Sequence, residues 1–159
     1  MTQPDAYTLS LRLRTPVRQG WLHLSWHPTA ARLATGGPPA RGAASEAFSF
    51  AAAASQQLRG LVLTNASVPQ PWERVVRLEF GVRPGDAPQI AAHCEIMAKY
   101  SNLVLTDGCG VVISAAHQVG GKMSSLRQVQ QGRPYRLRPV TRGVPRRLGV
   151  PPAGWRSHG

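Results

Sequence analysis

The stretch Tyr7-Thr8-Leu9-Ser10-Leu11-Arg12-Leu13-Arg14 sets Tyr7, Leu9, Leu11 and Leu13 on one side of the chain and polar residues on the other. A period of two is that of a half-buried β-strand, so the fold opens with a sheet that turns one face to a core. After the break at residues 16–20, Trp21-Leu22-His23-Leu24-Ser25-Trp26 reads as its hairpin partner and residues 30–35 as a third strand. Residues 36–42 hold too many glycines and prolines for any element and close this group.

The pattern then changes. Residues 45–58 are rich in alanine, offer Ser45 or Ser49 as an amino-terminal cap and stop at Arg59-Gly60, which predicts one short helix. Strand patterns return at residues 61–66, 74–82, 89–97, 103–106 and 111–116, with Asp107-Gly108-Cys109-Gly110 as the turn between the last two. The predicted class is α+β: mainly antiparallel strands in β-sandwich-like sheets, with one helix between two strand groups. From residue 131 onward prolines interrupt a run of arginines, and so few core-forming residues predict that most of this stretch is poorly ordered.

The chain has 159 residues, of which 42% are hydrophobic, enough for one domain with a modest core. Its net charge of +12 is unevenly placed. All seven acids lie at or before Asp107, against ten basic residues, and nine basic residues stand alone after it. An acid-free carboxy-terminal third favours phosphate backbones and other polyanions. Arginine outnumbers lysine 17 to 2, so a biased coding composition also contributes. Cys94 and Cys109 lie far apart with no CxxC spacing, which predicts neither a zinc site nor a disulfide framework and fits a cytoplasmic setting. With no basic-then-apolar leader and no apolar run of membrane length, the chain is expected to be neither secreted nor membrane-embedded.

Most candidate chemistry is weak. His23 and His27 lie in strand-like sequence with no carboxylate or cysteine nearby, so no metal is predicted. His93 and Cys94 are strand neighbours that point to opposite faces and do not meet. Gly36-Gly37 and Gly120-Gly121-Lys122 lack the spacing of a phosphate loop, and Ser124-Ser125 reads as a helix cap before a phosphate contact. Glu73-Arg74 differs, because both charges stand at the entry to an apolar strand. Spacing alone favours a charge pair that guards a sheet edge. The other reading has Arg74 present a fork to phosphate or a base edge while Glu73 orients it or accepts from a base amine.

Two blocks carry a family resemblance. Trp72-Glu73-Arg74-Val75-Val76-Arg77-Leu78-Glu79-Phe80 and Glu95-Ile96-Met97-Ala98-Lys99-Tyr100-Ser101-Asn102-Leu103-Val104-Leu105 together resemble the amino-terminal domain of the NFACT family, whose bacterial members carry the older label of fibronectin-binding proteins. The strand Val112-Ile113-Ser114-Ala115-Ala116-His117 matches, and residues 127–135 follow the family's R-x-V-x-x-G-x-P-Y step. The likeness is to cyanobacterial-type members, where Pro-Trp-Glu-Arg replaces the more usual Asp-Arg, and it covers roughly residues 5–139.

The resemblance implies a role in ribosome-associated quality control: binding of tRNA and of the obstructed large ribosomal subunit (rRNA), with template-free carboxy-terminal tailing of the nascent chain. Peptide-bond formation then belongs to the ribosome, so no catalytic residue, metal or cofactor is expected. The implied fold is similar to the amino-terminal domain of formamidopyrimidine-DNA glycosylases, whose amino-terminal Pro-Glu is absent from Met1-Thr2-Gln3-Pro4. Carried over residue by residue, the RNA-binding set is Glu73, Arg74, Glu95, Lys99, Tyr100, Ser101 and Asn102. Lys99 and the arginines would meet phosphate and Tyr100 would stack on a base, whereas Ser101 and Asn102 also suit a turn or strand end. Against the family pattern the chain is expected to lack the first helix, a first strand or two, the coiled coil and the second RNA-binding domain. That predicts a partial domain at 1–139 with an open edge, a basic tail at 140–159, and the remainder of such a protein as a partner. The alternative is an interaction protein without RNA function, including an adhesin-like one.

Overall fold

The computed structural model describes residues 1–40, 49–71, 73–123 and 127–137. Residues 45–48 of the expected helix, Trp72, Ser124-Ser125 and the tail from residue 138 onward lie outside the described residues. Two antiparallel sheets follow the chain order without a crossover. The first holds β1 (Thr2–Asp5), β2 (Thr8–Arg14), β3 (Gln19–Ser25) and β4 (Arg32–Gly36). Helix α1 (Ser49–Leu58) leads to the second sheet, formed by β5 (Val62–Ser67), β6 (Val75–Gly81), β7 (Ile90–Glu95), β8 (Asn102–Asp107) and β9 (Val112–Ala115). The α+β class and the two strand groups stand as the sequence implies.

Alternation builds the core. Leu9 and Leu11 of β2 lie opposite Leu24 and Leu22 of β3, and all four side chains are buried. They form one apolar cluster with Phe50, Ala51, Ala54 and Leu58 of α1 and with Leu78, Phe80, Ile90, Ala92, Cys94, Leu103 and Leu105 of the second sheet. Each fully buried leucine contributes about 1.5 to 3 kcal/mol of transfer free energy. The helix ends as Arg59-Gly60 predicts: Gly60 takes φ +77° and the Leu61 amide donates to the Leu58 carbonyl at 3.2 Å. In the Asp107-Gly108-Cys109-Gly110 turn, the Asp107 carboxylate accepts the amides of Cys109 and Val111, each at 2.9 Å.

One feature differs from the sequence reading: strand β1 goes unpredicted, because Pro4 and the absence of alternation hide it. Proline is tolerated there since β1 is an edge strand. Residues 132–137, at the start of the arginine- and proline-rich stretch, are hydrogen-bonded to the second sheet although most of them are exposed. The Val112 amide donates to the Arg133 carbonyl at 2.8 Å and the Tyr135 amide to the Gly110 carbonyl at 2.8 Å.

That packing covers the outer face of the second sheet. Val129 joins Val104, Val112 and Ala115 in a second buried cluster, with Val119 and Tyr135 against it. Every residue of β7 is buried: Ile90, Ala92 and Cys94 lie in the cluster shared with α1 and the first sheet, and on the other face His93 meets Tyr135 and Glu95 meets Arg127 and Tyr135. Among the described residues no helix is long and apolar enough to cross a membrane.

Candidate functional site

The outer face of β6, β7 and β8 carries a polar row where an all-apolar layer would have sufficed. Cross-strand register sets Val75 opposite Glu95 and Arg77 opposite His93, then Glu95 opposite Asn102. The ladder continues past the strand end, since the Ile96 amide donates to the Arg74 carbonyl at 2.8 Å. Glu73-Arg74 and the block beginning at Glu95, more than twenty residues apart in sequence, thus share one end of the second sheet.

Glu95, the last residue of β7, closes this face at that end. Its side chain is 1% exposed and that of Arg127 is 8% exposed, and the two pair through both guanidinium Nη atoms, one of them at 3.2 Å from Oε2. The Tyr135 hydroxyl donates to Glu95 Oε1 at 2.8 Å. Arg127 Nε donates to the Arg136 carbonyl at 2.5 Å, and the guanidinium sits 5.2 Å from the Tyr135 ring centre. A buried carboxylate needs this degree of compensation, because desolvation costs several kcal/mol per ion.

His93 stacks on Tyr135 with ring centres 3.9 Å apart, and its Nε2 lies 3.1 Å from Thr106 Oγ1. Burial, with the charges of Arg77 and Arg127, pushes the His93 imidazole down to about 4. Burial and the neighbouring Glu95 charge hold the Tyr135 hydroxyl well above its ordinary range, so it remains a donor. On the opposite face of β7, Cys94 is in the main core, where burial pushes its thiol up to about 12. His93 and Cys94 do not meet, as strand alternation requires.

The remaining candidates divide between surface and interior. Arg74, Lys99 and Tyr100 are exposed, Tyr100 by 54%. Lys99 and Tyr100 ride on a 3-10 turn, Ala98–Tyr100, that begins with Ala98 in the left-handed region at φ 48°. The Lys99 ammonium lies 5.0 Å from the Tyr100 ring centre. Ser101 and Asn102 are buried; Ser101 braces that turn and Asn102 ties the start of β8 to His117. Ser101 Oγ donates to the Ala98 carbonyl at 2.6 Å and accepts the Met97 amide at 2.9 Å. Asn102 donates to the His117 carbonyl at 2.7 Å and accepts the amides of His117 and Leu103, both at 2.9 Å. Glu73 is half-buried.

Elsewhere, His23 lies 2.9 Å from Ser10 Oγ and 3.0 Å from the Gly37 carbonyl, and His27 Nδ1 accepts the Thr29 amide at 3.2 Å. Among the described residues no group of three or more His, Cys, Asp or Glu side chains is placed to hold a metal. A groove of about 240 Å³ is lined by apolar side chains such as Leu11, Leu58 and Phe80 together with Arg12, Ser55 and Arg59.

A family model described as the NFACT N-terminal and middle domains matches residues 1–148. The chain belongs to the NFACT family. Three solved structures share the fold. The fibrinogen binding protein from Staphylococcus aureus superposes with a TM-score of 0.70 at 23% identity over 88% of this chain and 48% of that one. The N-terminal part of the fibronectin/fibrinogen-binding protein from Streptococcus suis gives 0.72 at 23% over 88% and 53%. The N-terminal domain of the fibronectin-binding protein PavA from Streptococcus pneumoniae gives 0.67 at 24% over 87% and 52%. The chain spans about half the length of these structures. No curated protein sequence matches it.

The NFACT R-x-V-x-x-G-x-P-Y step acquires a physical meaning here. Arg127 and Tyr135 hold Glu95, and Val129 fills the second apolar cluster. Gly132 turns at φ +78°, and Pro134 bridges to Val111 at the edge of the second sheet. These five residues form one clamp on the outer face. Arg127 and Tyr135 were not among the sequence-derived site residues, although the spacing of the step was the signal that pointed to them.

Proposed function

We propose that this domain is an RNA-binding factor of ribosome-associated quality control that engages tRNA and the large ribosomal subunit. The observation that carries the reading is that the exposed Arg74, Lys99 and Tyr100 adjoin one end of the second sheet, where the Arg74 carbonyl accepts the Ile96 amide. The side chains that brace that end, Glu95, Ser101 and Asn102, are buried. A fixed cation beside an exposed aromatic ring suits phosphate contact with base stacking. Arg136, also exposed, adds charge near the same end, because its carbonyl is held by the Arg127 that pairs with Glu95.

In this reading the chain performs no bond chemistry of its own and acts in the cytoplasm. Its partners are tRNA, rRNA and the remainder of a longer NFACT protein. Co-sedimentation with obstructed large subunits tests it: the wild-type chain is expected to pellet in a salt-sensitive manner and Arg74→Ala to remain largely in the supernatant. Equal behaviour of the two proteins would overturn the assignment. The names of the streptococcal and staphylococcal structures favour a second reading, binding of fibronectin or fibrinogen at a cell surface. Labelling of intact cells with a membrane-impermeant reagent decides it, since a surface protein is modified and a cytoplasmic one is not.

A further inference from the structure

Glu73 and Arg74 precede β6, and the ladder runs on through Arg74, whose carbonyl accepts the Ile96 amide at 2.8 Å. Strand alternation carried back from Val75 therefore sets Glu73 on the outer face with Val75 and Arg77 and Arg74 on the other side. Among the described residues, Glu73 Oε2 is buried without a hydrogen-bond partner. Two further buried atoms in the same state, Arg77 Nε and His93 Nδ1, belong to that face, so it holds three of the five such atoms among the described residues. Arg77 and His93 are cross-strand partners, and His93 stacks on Tyr135. Glu73 is close enough to Tyr135 for its charge to disfavour the phenolate.

An unsatisfied buried polar atom costs about 1 to 3 kcal/mol, so three on one face mark a place where fold stability alone does not dictate the residues. Apolar side chains of similar volume would fill it at less cost. Arg74, in contrast, is exposed and makes no ion pair among the described residues.

We propose a division of labour within the pair: Glu73 is a positioning residue that anchors the entry to β6 on the polar face formed by Arg77, His93 and Tyr135, and Arg74 alone is presented outward to the ligand. The proposal refines the RNA reading for Arg74, but the inward anchoring of Glu73 stands or falls on the free protein.

Two measurements test it. In the RNA-free chain, NMR of the His93 ring nitrogens and the Tyr135 ring is expected to show both displaced by Glu73→Gln and unmoved by Arg74→Gln. If Glu73→Gln leaves both unchanged, the carboxylate faces solvent and the proposal fails, whatever RNA does. In tRNA binding, Glu73→Gln is expected to lower affinity severalfold even though it removes a negative charge. A rise in affinity would identify Glu73 as an outward acid repelling phosphate and would also overturn the proposal. If wild-type protein binds no tRNA, the RNA reading is lost while the NMR result still decides the orientation of Glu73. Tyr135→Phe serves as the second variant, and its effect on affinity is expected to be non-additive with that of Glu73→Gln.

Discussion

At the scale of single residues, the buried pair of Glu95 and Arg127 dominates the second sheet's outer face. Arg127→Ala leaves a carboxylate in the interior with Tyr135 as its remaining side-chain partner. The expected cost is about 3 to 5 kcal/mol, read as a fall in the urea midpoint of unfolding. Replacing Glu95 and Arg127 together by apolar residues of similar volume is expected to cost much less, since neither charge is then left uncompensated. His93 adds a pH dependence. Its folded value lies near 4, below the ordinary 6.5, so between these limits the unfolded chain binds more protons than the folded one. The contribution of neutral His93 is fully present above pH 6.5 and is lost as pH falls toward 4, by up to about 3 kcal/mol. Denaturation at pH 7 and pH 4.5 is expected to show the fall in wild type and a smaller one in His93→Gln.

At the scale of elements, the alternation in Tyr7-Thr8-Leu9-Ser10-Leu11-Arg12-Leu13-Arg14 and the stop at Arg59-Gly60 were legible because each is a local rule: side chains alternate along a strand, and glycine accepts a positive φ. Gly60→Ala is accordingly expected to destabilise by about 1 to 2 kcal/mol, as a Cβ is forced into the left-handed region, measurable by thermal unfolding. Strand β1 was illegible because its four residues carry no period and include proline. The clamp was illegible for a different reason. Glu95 meets Arg127 and Tyr135 across separations of 32 and 40 residues, and no hydrophobic period spans such distances. Family spacing picked out residues 127–135, but the sequence did not reveal which partner they hold. For the candidate site, the sequence placed both blocks on strands. It could not separate the exposed Arg74, Lys99 and Tyr100 from the buried Glu95, Ser101 and Asn102, because Glu95 is closed over by Arg127 and Tyr135 and Asn102 is tied to His117, all distant in sequence.

At the scale of the whole molecule, charge and fold point the same way. The basic residues after Asp107 begin with Lys122, Arg127, Arg133 and Arg136, carried by or adjoining the segment that covers the second sheet. That segment meets the sheet end beside Arg74 and the Lys99 turn through Arg127, whose charge is taken up by Glu95. The exposed positive charge at that end comes from Arg74, Lys99 and Arg136, of the kind a phosphate-binding surface uses. The chain spans about half of the solved structures it matches, so affinity in a longer protein would draw on further contacts. The most direct test is the affinity for tRNA as a function of salt. The wild-type chain is expected to show log K falling linearly with log salt. Arg74→Ala is expected to bind more weakly, with the slope reduced by about 0.7 to 0.9, the loss of one phosphate contact. A wild-type affinity independent of salt, or an Arg74→Ala slope equal to wild type, would contradict the account.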